Sequence, residues 1–73
     1  MNSKVIFCKD GVVMAGGISV GTWESVWTLT RRGQSQSFRF TPIDNAPDNG
    51  AGRTSKTRKH LAPAALETLK RLS

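Results

Sequence analysis

Residues 22–30 read TWESVWTLT, and this stretch decides between the possible folds of the chain. Its side chains divide into two alternating sets. One set is Trp23, Ser25, Trp27 and Leu29, and the other is Thr22, Glu24, Val26, Thr28 and Thr30. A period of two with β-branched and aromatic residues is typical of a β-strand. We therefore predict a strand here, and a sheet as the framework of the fold.

A helical interpretation of the same stretch stays open. The residues that recur at helical spacing are Trp23, Val26, Trp27 and Thr30, with Gly33 as a possible C-terminal stop. Threonine, valine and tryptophan favour strands over helices. The residue types therefore favour the strand by about two to one.

Further strands are predicted on the N-terminal side. Residues 5–15 contain two β-favouring runs separated by Asp10-Gly11, which is a strong tight-turn signal. The glycine pair at 16–17 breaks the second strand or forms a bulge in it, and residues 18–20 then continue that strand. This side of the chain therefore adds one hairpin to the sheet.

The C-terminal side adds one more strand. Residues 31–34 are typical of a turn, and residues 35–41 follow with Phe38 and Phe40 on one face and Arg39 on the other. The simplest arrangement is an antiparallel meander of three or four strands.

Three segments make up the chain, which we predict to be a single α+β domain. Residues 1–41 form the antiparallel sheet, residues 42–60 form a flexible linker rich first in proline and glycine and then in basic residues, and residues 61–73 form a short amphipathic helix. Pro63 suits the first turn of that helix. Its apolar side is Leu66, Leu69 and Leu72.

Composition limits the chemistry that the chain supports. With 73 residues, one cysteine (Cys8) and one histidine (His60), the chain cannot form an internal disulfide or supply four zinc ligands of the usual kind. No catalytic motif or phosphate-cradling loop is present, so we expect no enzyme, no metal and no cofactor. There is no signal peptide or membrane span, so we expect a soluble cytoplasmic protein.

Charge is the main functional clue. The net charge is +6, and it is unevenly distributed. Residues 1–50 hold five basic and four acidic side chains, whereas residues 51–73 hold six basic and one acidic. Cations and hydroxyls in the basic segment suit phosphate groups, which predicts contact with nucleic acid or with a protein beside it. The candidate contact residues are Arg53, Lys56, Arg58, Lys59, Arg31 and Arg32.

The aromatic residues have two interpretations. Trp23, Trp27, Phe38 and Phe40 form either the core of a small sheet, which we favour, or a stacking platform for single-stranded nucleic acid. Tryptophan also anchors protein interfaces, and an open strand edge can accept a partner's peptide. The candidate protein-docking residues are therefore Lys4, Ile6, Trp23 and Trp27.

The chain as a whole resembles the small RNA-polymerase-binding transcription factors of lytic Xanthomonas phages. The resemblance lies in the opening residues 1–7 (MNSKVIF), in residues 23–27 (WESVW) and in residues 56–59 (KTRK). It implies binding to the N-terminal region of the β′ subunit of bacterial RNA polymerase near the RNA exit channel. It further implies inhibition of promoter initiation and read-through of intrinsic terminators, with the elongation factor NusA as a possible partner.

Taken together with the charge distribution, the resemblance implies a phage-encoded transcription regulator in the host cytoplasm, with nascent RNA or DNA nearby and with no membrane or small-molecule substrate. Two alternatives stay open. One is a free-standing protein that binds RNA or single-stranded DNA, and the other is a phage inhibitor of another host complex.

Overall fold

Five antiparallel strands form one sheet in the order in which they occur along the chain. The computed structural model describes residues 4–48, 50 and 52–73. The strands are β1 (Val5–Phe7), β2 (Val12–Ala15), β3 (Ile18–Thr30), β4 (Gly33–Pro42) and β5 (Thr54–Ser55). A 3-10 helix (Arg58–Leu61) leads directly into α1 (Ala62–Leu72). The predicted α+β class is confirmed, with five strands rather than three or four.

Two local features account for the differences from the predicted strands. Gly16 and Gly17 have φ angles of 58° and 80°, so they form a tight hairpin turn that other residues adopt only with strain. β2 ends at Ala15, so the predicted break at the glycines is confirmed. Residues 18–20 begin β3 instead of continuing β2, so the alternative of a bulge within one strand is wrong. The register shift in this hairpin lies between Val13 and Met14. The fifth strand comes from the segment that was expected to be a linker.

β3 is a continuous strand of 13 residues, so the helical alternative for residues 22–30 is excluded. It pairs with β4 over ten residue pairs, from Gly21 opposite Pro42 to Thr30 opposite Gly33. Gly21 lies inside this strand because the chain passes very close to β4. A Cβ atom at position 21 would lie 2.2 Å from the carbonyl oxygen of Thr41 and 2.8 Å from the Phe40 ring.

The core lies between the sheet and α1. Its buried members are Val13, Ala15, Val20, Phe40, Leu61, Ala64 and Ala65. The alanines have small side chains, so the helix approaches the sheet closely. The three leucines of the apolar side of the helix were expected to dock on the sheet or on a partner. Leu69 packs against the core, Leu66 is half-buried and Leu72 is 42% exposed. Leu72 therefore does not dock on the sheet, because the buried face of the helix follows the alanines, and its docking on a partner stays a prediction.

Thr68 is a buried polar residue on that same face. Its hydroxyl donates to the carbonyl oxygen of Ala64 at 3.1 Å and accepts from the guanidinium of Arg71 at 3.1 Å. Arg71 also donates to both carboxylate oxygens of Asp44, at 3.0 and 3.3 Å. These bonds connect the end of α1 to the chain that leaves β4.

Residues 42–60 hold more structure than a linker. The Asp44 carboxylate accepts from the amide of Ala46, and the Asp48 carboxylate accepts from the amides of Gly50 and Gly52. β5 then pairs with Phe38 and Arg39 of β4. The segment therefore contains a strand and the beginning of the 3-10 helix, while its flexibility stays a prediction.

Candidate binding surfaces

An open groove runs along β1 and has a volume of about 650 Å³. Its two walls are β1 and the 3-10 helix with the first residue of α1. The lining residues are Lys4, Val5, Ile6, Phe7, Thr57, Arg58, Lys59 and Ala62. Three of these are cations and none is an acid. We call this feature the basic groove, and its charge favours anionic ligands.

The basic groove is lined by residues from both predicted sets, the protein-docking residues and the nucleic-acid contacts. Lys4 and Ile6 were predicted as a protein-docking edge, and Arg58 and Lys59 as nucleic-acid contacts. They meet because the 3-10 helix turns the chain back past the start of β1. The sequence showed both sets but not that they share one groove, since Arg58 follows Lys4 by 54 positions and the two residues come together only in the tertiary fold.

Arg58 is held in place by aromatic rings. Its guanidinium carbon lies 5.0 Å from the centre of the Trp23 ring and 5.8 Å from that of Phe38. At an exposed site such cation–π contacts contribute about 0.5–1 kcal/mol. The contacts favour the rotamer of Arg58 that places its cation beside the groove.

Trp23 is itself fixed by the sheet. Its indole Nε1–H donates to the carbonyl oxygen of Cys8 at 2.8 Å. Its ring meets Phe7 edge-on at 6.4 Å and lies 6.0 Å from Phe38 at a tilted angle. Trp23 therefore supports the groove from below and is not an exposed docking residue.

The remaining cations of the basic segment have different environments. Arg53 is half-buried, and its guanidinium donates to the carbonyl oxygen of Ala46, which fixes the preceding loop. Lys56 is exposed and does not line the groove. The predicted cluster is thus divided into a structural arginine, an exposed lysine and two groove cations.

The second candidate surface is the hairpin arm, residues 24–37. β2 pairs with β3 only as far as Thr22, and β5 pairs with β4 only at Phe38 and Arg39. Within the described chain, both outer edges of the arm are therefore open. Arg31 and Arg32 lie exposed at its tip.

One face of the arm carries exposed apolar side chains. Trp27 is 61% exposed and Leu29 is 82% exposed. Their cross-strand neighbours are the polar residues Gln36 and Gln34. Leu29 was not among the predicted site residues, although its alternation with Trp27 was a usable signal.

The four aromatic residues therefore divide between core and surface. Phe40 is fully buried, and Trp23 and Phe38 pack against the core, in agreement with the favoured interpretation. Trp27 is the exposed one. It remains available for a partner's side chain or a stacked base.

The basic groove and the tip of the hairpin arm lie far apart on the molecule. Trp23 lies beneath Arg58 beside the groove, and Arg31 follows it by eight positions along an extended strand. At about 3.3 Å per residue, the two positions are about 26 Å apart. Arg31 and Arg32 therefore do not belong to the basic groove, contrary to their grouping in a single predicted contact set.

Comparison with protein-family models, with curated proteins and with solved structures finds no match for this chain. In the described residues, no group of three or more histidine, cysteine, aspartate or glutamate side chains could hold a metal ion. The same part of the chain has no helix with the length and hydropathy to cross a membrane.

Proposed function

We propose that this protein regulates bacterial transcription by binding host RNA polymerase, through the N-terminal region of the β′ subunit. It would inhibit promoter initiation and promote read-through of intrinsic terminators, with NusA as a possible partner. The observation that carries the proposal is the hairpin arm. An arm that exposes Trp27 and Leu29 beyond the core has the residue types of a protein-docking surface, because tryptophan and arginine dominate the binding energy of many interfaces.

The exposed positive charges of the protein support the proposal that it acts close to RNA. Arg31, Arg32 and Lys56 are exposed and carry positive charge on surfaces that a docked arm would bring near a polymerase channel. Cations that neutralise phosphates hold RNA mainly through its backbone. Such contacts would compete with the folding of a terminator hairpin, which is the physical basis we propose for read-through.

The test is capture of purified core polymerase followed by a read-through assay at an intrinsic terminator. We expect the natural chain to bind and to increase read-through, and the double substitution Trp27→Ser with Leu29→Ser to lose at least tenfold in affinity. Ile43→Ser is the matched control, since Ile43 is 55% exposed but lies outside the arm. Absence of binding together with unchanged termination by the natural chain would refute the proposal.

A free-standing binder of single-stranded nucleic acid is the second candidate. Trp27 on an open arm, close to the arginines at its tip, favours it, because stacking on an aromatic ring contributes about 1–3 kcal/mol per base. This candidate requires tight binding to naked RNA that weakens steeply with salt. The polymerase proposal requires only weak binding to RNA in the absence of the enzyme.

A further inference from the structure

The outer edge of β1 is an unused template for another strand. β1 is the first strand of the sheet, with β2 on its inner side. The amide of Gly16 donates to the carbonyl of Lys4 at 3.2 Å, and the amide of Cys8 donates to the carbonyl of Val12 at 2.8 Å. The backbone groups of Lys4 and Cys8 therefore point towards β2.

The alternation of an antiparallel ladder fixes the direction of the other backbone groups. Ile6 lies two residues from both Lys4 and Cys8, so its N–H and C=O also point towards β2. Val5 and Phe7 lie between them, and their N–H and C=O groups point outward. No strand of the described chain pairs with that side. β1 thus presents two donors and two acceptors in the spacing of a β-ladder.

This edge opens onto the basic groove, which provides the space for an added strand. A neighbouring strand requires a separation of about 4.8 Å. The groove beside β1 has a volume of about 650 Å³ and ends at the 3-10 helix. Backbone and side-chain atoms of an extended segment can therefore lie between the two walls.

The cations that line the groove indicate which side chains that segment should carry. Lys4 lies at the start of the edge, and Arg58 and Lys59 lie on the opposite wall. Arg58 is oriented by Trp23 and Phe38, so its charge is held at the groove. An incoming strand would place alternate side chains near these cations, and carboxylates would match them.

We propose that the basic groove binds an extended acidic peptide segment of a protein partner, which adds to β1 as a sixth strand. A peptide fits this edge better than a nucleic acid does. Phosphate oxygens only accept hydrogen bonds, and the donors of bases and ribose do not repeat at the spacing of a β-ladder, whereas a peptide backbone offers donors and acceptors at that spacing. The proposal is independent of whether the partner is RNA polymerase.

The first test uses a capped peptide of alternating glutamate and threonine, titrated into the full chain and followed by NMR and calorimetry. We expect the amide signals of Val5 and Phe7 to shift and to gain protection from hydrogen exchange. A peptide with N-methyl groups on its pairing amides should bind at least tenfold more weakly, and one with lysine in place of glutamate should not bind. Equal binding of the N-methylated peptide would overturn the proposal.

The second test changes the protein. Val5→Pro removes an amide that points away from β2, and proline is tolerated on edge strands, so the fold should persist while peptide affinity falls at least tenfold. Lys59→Glu should weaken binding by a similar factor. Lys70→Glu makes the same charge change on an exposed residue that does not line the groove, and it should bind as the natural chain does.

An oligouridine RNA of the same negative charge is the competing ligand. We expect it to leave the Val5 and Phe7 amides unperturbed and not to displace the peptide at physiological salt. If the RNA binds more tightly at these amides, the groove is a nucleic-acid site and the peptide proposal is wrong. The comparison of the glutamate, N-methylated and lysine peptides tests the proposed strand addition even if the Val5→Pro variant does not fold.

Discussion

At the scale of single residues, Gly21 lies very close to the backbone of β4. We expect Gly21→Ala to destabilise the fold, because its Cβ would overlap the Thr41 carbonyl oxygen and the Phe40 ring. Overpacking of this kind costs about 1–3 kcal/mol or more. For a domain of this size, each kcal/mol lowers the melting temperature by about 4–8 °C. Thermal unfolding followed by circular dichroism measures the loss.

Gly17→Ala is the comparison for that prediction. A Cβ at Gly17 has no atom within 4 Å, so its cost comes only from the positive φ of 80°. Left-handed backbone costs about 1–2 kcal/mol in residues with a side chain. A smaller loss for Gly21→Ala than for Gly17→Ala would contradict the close approach.

The pair formed by Asp44 and Arg71 predicts a dependence on pH. Hydrogen bonds from the Arg71 guanidinium, and then from the Ala46 amide, lower the pKa of Asp44 in the folded chain. The pair therefore stabilises the fold above the ordinary aspartate pKa of about 3.9. That contribution is lost as the pH falls through the lowered pKa, where the folded state must also take up the proton.

Asp44→Asn tests this dependence. We expect the variant to be less stable than the natural chain at neutral pH, and the difference to shrink between about pH 5 and pH 2. Asp10→Asn is the matched control. Asp10 accepts a similar backbone bond, from Val12, but forms no salt bridge within the described chain. A constant difference between Asp44→Asn and the natural chain across the range would show that the pair does not carry the effect.

At the scale of elements, α1 is part of the core and not an appendage of the sheet. Ala64 and Ala65 of α1, with Leu61 at the end of the 3-10 helix, are buried in the same cluster as Val20 and Phe40. A short helix is marginal in isolation, so its stability comes from this packing. The sheet in turn needs the helix to exclude water from one face.

Truncation after residue 49 therefore tests the element as a unit. The shortened chain would lose β5, the 3-10 helix and α1, and we expect no cooperative thermal transition. A chain ending at Arg71 is the control, because it keeps the helix face and the bond to Asp44 and removes only exposed residues. Cooperative unfolding of the chain that ends at residue 49 would show that the sheet is independent.

At the scale of the whole molecule, shape separates two kinds of surface. The extents are 43 × 25 × 21 Å, and the radius of gyration is 12.6 Å, against about 11 Å for a compact domain of this length. The hairpin arm accounts for the elongation. The two surfaces proposed for binding, the hairpin arm and the basic groove, therefore lie apart on the molecule, and a partner on one would leave the other open.

Prediction from the sequence succeeded where the signal was local. Strand alternation in residues 22–30, the Asp10-Gly11 turn and the helix near Pro63 depend on neighbouring residues, and all three occur in the structure. Prediction was weaker where burial had to be assigned. Leu72 and Trp27 have apolar side chains, yet both are exposed, because a core of this size covers only part of the apolar surface.

The sequence by itself determined the α+β class, the strand at residues 22–30 and the excess of positive charge after residue 50, because alternation, turn chemistry and composition are properties of the chain. Only the tertiary structure decided which cations act together. Arg53 became part of a loop, Arg58 stacked on Trp23, and Lys59 came to lie opposite Lys4. The physical reason is that residues far apart in the chain come into contact only when the sheet and helix pack, so no local sequence pattern predicts those contacts.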